Sequence, residues 1–232
     1  MPVEQKRIWE IDLLRAIAII LMVVYHTVYD LNSFAGIDID YKSPFWYWEG
    51  KTAALTFILL SGISCGLSRR NTVVTGLKIF GLGMIVTVAT YLFLEQYYVR
   101  FGILHFLGVC MMLYPILKRL DNSMLLVIAI VNAILAMPID NMIVDTPLLL
   151  PLGIMHSGFA SADYYPLSPY LSVFVLGILA YKNYYYKKQS LFHKLNFNLE
   201  NKIVSQISKH SLLIYMIHQP IIIAIIYIVK II

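Results

Sequence analysis

Charge is scarce in this chain: 13% of its 232 residues are Asp, Glu, Lys or Arg, against 59% that are hydrophobic. Ordinary soluble domains are about a quarter charged, so a water-facing surface cannot be assembled from this sequence. Cysteine is nearly absent. Cys65 and Cys110 both fall within apolar runs, an arrangement that offers neither a disulfide framework nor paired metal-ligand spacing, and no metal is expected. Internal repeats and low-complexity segments are also missing, so the paired halves of many transporters have no counterpart here. The apolar runs are too long and too unalternating for barrel strands, which leaves helices as the way to satisfy backbone polar groups in lipid.

Long apolar runs are what the sequence does have. At about 20 residues per crossing, transmembrane helices are predicted near residues 10–31, 52–68, 73–94, 101–118, 123–139, 167–186 and 206–229. The stretch Pro147 to Phe159 is short and carries Pro151 and Gly153, which suits a re-entrant or interfacial segment. The expected fold class is therefore all-α, a polytopic membrane helical bundle of about seven spans, forming one domain over residues 1–232. Lys6 and Arg7 precede the first run as they would in a signal peptide, but Arg15 lies within it and no small-residue cleavage site follows, so it reads as a retained helix.

The excess of Lys and Arg over Asp and Glu, 18 against 13, does not point to nucleic acid, because the basic residues sit in short loops between spans. One side collects Lys6, Arg7, Arg69, Arg70, Lys78, Lys118, Arg119, Lys182, Lys187, Lys188, Lys194, Lys202 and Lys209; the other is mostly acidic. The positive-inside rule then places the N-terminus in the cytoplasm and the C-terminus outside. An eighth span would put the Lys182 to Lys209 cluster outside and break that pattern. The chain's first partner is thus the lipid bilayer; its oligomeric state, a homodimer included, is left open.

Ionisable side chains inside a span are costly and are functional candidates by default. The first helix has two. Arg15 and His26 are eleven residues apart, close to a whole number of turns, so they share a face and are separated by roughly 16 Å along the axis. That is comparable to the reach of a pantetheine arm. Asp30 follows His26 by one turn, where a carboxylate would fix the imidazole tautomer. The plainer alternatives are that Arg15 snorkels to the inner headgroups beside Asp12 and that His26 bonds a neighbouring helix. His105 is expected near the outer end of the fourth helix, at a depth similar to His26, and His218 near mid-membrane beside the kink at Pro220. Interhelical bonding is the alternative for both. His193 and His210 read as solvated cytoplasmic residues. Arg69, Arg70 and Lys78 would suit the phosphates of an anionic cofactor, although the topology already accounts for them.

The run Ile11-Asp12-Leu-Leu-Arg15 through Tyr25-His26 resembles the opening helix of acyltransferase family three. Phe57-Ile-Leu-Leu-Ser61-Gly62-Ile-Ser64, Phe101-Gly-Ile-Leu-His105-Phe-Leu-Gly108, Asp163-Tyr-Tyr-Pro166 and Ser211 to Pro220 look more like relatives of the heparan-alpha-glucosaminide N-acetyltransferase catalytic domain. That resemblance implies transfer of an acyl group, usually acetyl, from cytoplasmic acyl-coenzyme A to a sugar or glycan-like acceptor at the outer face of a bacterial or archaeal plasma membrane. In the heparan-acetylating enzymes the active histidine lies in the loop after the first helix. Leu31 to Gly50 contains none, so the role passes to His26. Asp30 would orient His26, His105 or His218 would stabilise the oxyanion or departing thiolate, and Arg15 would hold the coenzyme. A small proton-coupled transporter or exporter and a sensor or assembly subunit are the rival readings.

Overall fold

The computed structural model describes residues 8–192 and 202–231. Lys6, Arg7, His193 and Lys194 lie outside the described residues. The chain is mostly helical, with eight α-helices among the described residues: α1 (Trp9–Asp30), α2 (Pro44–Leu67), α3 (Thr72–Leu94), α4 (Ile103–Leu117), α5 (Asn122–Asp140), α6 (Leu167–Ala180), α7 (Lys202–Lys209) and α8 (Ser211–Ile231). Among the described residues five helical segments are long and apolar enough to cross a membrane: Trp9–Ala35, Pro44–Leu67, Thr72–Leu94, Asn122–Ile139 and Ser211–Val229. α4 is apolar but shorter. Only 11% of the apolar window of α3, α5 or α8 is buried, so most of each presents hydrocarbon outward, as lipid-facing helices do.

Three boundaries differ from the sequence reading. α2 begins at Pro44, well before residue 52, because Pro is preorganised for a first helical turn and the aromatic run Phe45 to Trp48 continues the helix. Glu49 therefore belongs to a helix. The last predicted span divides at His210. The residues before it alternate Ile203, Val204 and Ile207 with Lys202, Ser205, Gln206 and Lys209, a surface-helix pattern, and the continuous apolar run starts only with α8. The Pro147 to Phe159 stretch is a 3-10 turn (Pro147–Leu152) followed by β2 (Met155–His156), which pairs in parallel with β1 (Ile143–Val144).

The chain divides into two compact units, residues 1–60 with 188–232, and residues 61–187. In the first, α1 packs against α7 and α8. α1 continues into a π-helical turn, Leu31–Ala35, that ends at Gly36 with φ +73. The left-handed conformation lets the Ile37 amide reach back to the Leu31 carbonyl, and the Asn32 amide bonds the carbonyls of Ile37 and Ile39.

In the second unit α3 packs on α4 and α5 on α6. Small residues let α3 and α4 approach closely, Gly76 against Gly108 and Gly83 against the His105 ring. The α5–α6 contact has polar bonds: the Ser168 hydroxyl donates to the Asn132 carbonyl, and the Ser172 amide and hydroxyl donate to Asn132 Oδ1. Gly62, in the last turns of α2, leaves no room for a side chain, since a Cβ there would lie 2.2 Å from the Phe174 carbonyl oxygen of α6. Backbone cannot yield as a side-chain tip does, so Gly62→Ala is expected to lower stability by about 1–3 kcal/mol, read as a fall in detergent-solubilised melting temperature.

Candidate functional site

α1 carries polar groups at both ends and apolar residues between. At its start, the Ser208 hydroxyl of α7 donates to Asp12 Oδ1 at 2.7 Å and accepts from Arg15 Nη1 at 3.1 Å. Arg15 and Asp12 also form an ion pair at 3.8 Å. One turn earlier, the buried Glu10 accepts the Leu191 amide at 2.8 Å. These bonds tie the start of α1 to the segments that precede α8. Ser208, which no pattern in the sequence singled out, is a buried hydroxyl between two charges. Ser208→Ala is expected to cost about 1.5–3 kcal/mol, the range for hydrogen bonds to charged groups, measurable by chemical or thermal unfolding.

Toward the other end of α1, the structure brings together three of the histidine and carboxylate candidates within the first unit. His26 faces α8, with its ring centroid 4.9 Å from that of His218. Gln219 places its side-chain nitrogen 2.8 Å from His26 Nδ1. His218 donates from Nδ1 to the Tyr215 carbonyl at 2.6 Å, which fixes its tautomer and leaves the lone pair on Nε2. That Nε2 is buried without a partner among the described residues. Asp30 is 1% exposed. Gln219 faces its carboxylate too, but neither oxygen has a hydrogen bond of good geometry among the described residues.

The sequence alone does not single out Gln219, a neutral amide beside an ionisable histidine. Its signal was there: an amide inside an apolar run, directly before Pro220. Glu49 is the second omission. Both of its carboxylate oxygens are buried without a partner among the described residues, and it borders a groove lined by Leu21, Pro44, Phe45, Trp48 and Thr52.

His105 lies in the other unit, in the first turn of α4. It is 3% exposed, edge-on to Phe80, stacked with Phe101, and 3.4 Å through Nε2 from the Thr87 hydroxyl. Its Nδ1 is buried without a partner among the described residues. The Asp163 carboxylate accepts the Ile103 amide and so caps that helix. Arg69 and Arg70, in the connection after α2, and Lys78, in the second turn of α3, are exposed. None of the three has an ion pair among the described residues. No group of three or more His, Cys, Asp or Glu residues suited to a metal occurs among the described residues.

A polar cluster of this kind, between two helices long and apolar enough to cross a membrane, suits proton transfer at a reacting group, since two imidazoles, an amide and a carboxylate stand in an apolar surrounding. No curated protein and no solved structure matches the chain. A family model does: that of the heparan-alpha-glucosaminide N-acetyltransferase catalytic domain covers residues 7–220, from the start of α1 to just past the His218-Gln219 pair. The chain belongs to the heparan-alpha-glucosaminide N-acetyltransferase catalytic family.

Proposed function

We propose that this protein is a transmembrane acyltransferase that moves an acetyl group from cytoplasmic acyl-coenzyme A to an amine or hydroxyl of a glycan-like acceptor at the outer face. The observation that carries the reading is the His26–Gln219–His218 cluster beside the buried Asp30, lying between α1 and α8 in a chain of an N-acetyltransferase family. The topology that goes with it has seven crossings in a single domain, the N-terminus inside, the C-terminus outside and the 147–159 segment re-entrant, in a bacterial or archaeal plasma membrane.

In this reading the acceptor attacks the thioester carbonyl while His26 removes its proton. The new bond to the acetyl carbon forms, the C–S bond breaks, and the coenzyme thiolate leaves and is protonated. Base action by His26 requires its proton on Nδ1, held by Gln219 Oε1. That is the side-chain amide turned by half a rotation, an orientation of the same shape. With the amide nitrogen toward Nδ1, His26 is instead an N–H donor through Nε2 and His218 holds the lone pair, so one imidazole donates while the other accepts. Asp30 stabilises positive charge that develops on the pair. His105 is a further candidate for stabilising the oxyanion or the leaving thiolate; the Thr87 hydroxyl donates to the Val99 carbonyl and accepts from His105 Nε2, so Nδ1 gives a proton only from the imidazolium.

For the donor, Arg15 lies along α1 from His26 and keeps part of its surface accessible. Arg69, Arg70 and Lys78 are exposed cations of the kind that phosphates engage. The test is selective thermal stabilisation of purified protein by acetyl-coenzyme A, present in wild type, weakened in Arg15→Ala, and absent with unrelated nucleotides. No stabilisation at saturating ligand would contradict the reading. The unpartnered carboxylates of Asp30 and Glu49 within spans favour a second reading, a proton-coupled transporter, which would show substrate flux without thiol release.

A further inference from the structure

The second unit holds an arginine that the acyltransfer reading does not use. Arg100 stands in the connection between α3 and α4, where Glu95–Tyr97 forms a 3-10 turn. Its guanidinium lies over the Tyr98 ring at 4.4 Å, with the Phe159 ring 5.7 Å away. Nη1 donates to His156 Nε2 at 3.1 Å, an acceptor set by the His156 Nδ1 bond to the Ser157 carbonyl at 2.9 Å. The Arg100 amide is held by Ser161 Oγ at 3.0 Å. Phe101, the next residue, is kept at φ 56, an unfavourable conformation for a bulky side chain.

Among the described residues no carboxylate pairs with Arg100, and the nearby Asp163 carboxylate takes the Ile103 amide. The Nε atom is buried with no acceptor, and the Nη2 bond to the Gln96 carbonyl is long, at 3.4 Å. Nε and Nη2 form the side-on edge with which a guanidinium grips an oxyanion by two parallel bonds. A cation held in place by two rings and a neutral imidazole, with that edge unsatisfied, is preorganised for a carboxylate or phosphate.

We infer that Arg100, positioned by Tyr98, Phe159 and His156, is the binding site for an anionic group presented at the loop face of this unit. Such a group is carried by an acidic sugar or by a lipid headgroup. The inference does not depend on the acyltransfer reading, since binding is measured with no coenzyme present.

The experiment uses the full chain in nanodiscs. One arm titrates glucuronate, with glucose as the neutral control, into phosphatidylcholine nanodiscs. The other compares melting temperatures in phosphatidylglycerol and phosphatidylcholine nanodiscs. A response to the anion in either arm, weakened about tenfold or abolished in Arg100→Lys because lysine loses the two-pronged edge, supports the site. The responding arm names the source. His156→Ala, which removes one of the groups that position the guanidinium but keeps its two-pronged edge, is expected to weaken the response less than Arg100→Lys does. No anion response in wild type, an undiminished one in Arg100→Lys, or a larger loss in His156→Ala than in Arg100→Lys overturns the assignment.

Discussion

His26→Ala is expected to lower the acetyl-transfer rate by about a hundred- to ten-thousandfold, the range for loss of a positioned general acid or base, while the protein stays folded and still binds acetyl-coenzyme A. The size of the effect follows from the surroundings. The cluster lies between two apolar helices, so no bulk water stands ready to take the proton in the imidazole's place. His218 cannot substitute easily, because its Nδ1 is committed to the Tyr215 carbonyl and its Nε2 is enclosed. The rate is read as thiol release in the presence of an amine acceptor, and folding by monodispersity and melting temperature. An alanine variant that is folded and as fast as wild type would remove His26 from the chemistry.

Gln219→Met is expected to reduce kcat by about ten- to a hundredfold and leave KM near its wild-type value. Methionine keeps the length and the apolar contacts of the side chain but offers no strong hydrogen bond to His26 Nδ1. Loss of one bond to a buried imidazole is worth about 1–3 kcal/mol, and about 1.4 kcal/mol is tenfold in rate. The split between the two constants separates positioning from packing. A residue that only packs α1 against α8 would lower stability without a selective loss of kcat.

Much of this was legible in the sequence, for definite reasons. An apolar run of span length has few structural options in lipid, so α1, α3 and α5 fall close to their predicted positions. The eleven-residue separation of Arg15 and His26 fixes one face of one helix, and that is enough to place the two at opposite ends of α1. What a single helix cannot show is its neighbour. Asp30 was read as the orienting partner of His26 from i,i+4 spacing, yet the group bonded to His26 is Gln219, 193 residues away in the chain. Arg15 likewise meets Ser208 on α7 as well as Asp12 on its own helix. The start of α2 was misplaced because Phe45 to Trp48 reads equally well as an interfacial belt and as helix, and only Pro44 at the first position tips the balance.

The central claim is that the His26 cluster performs acyl transfer across a membrane, and one reconstitution tests it most directly. Proteoliposomes are loaded with acetyl-coenzyme A on one side, glucosamine is supplied on the other, and free thiol and N-acetylglucosamine are followed together for wild type and His26→Ala. The expected result is thiol and acetylated product appearing in equal amounts on opposite sides, with neither from the variant. Passage of either compound unchanged, without thiol release, or equal product from His26→Ala, would contradict it.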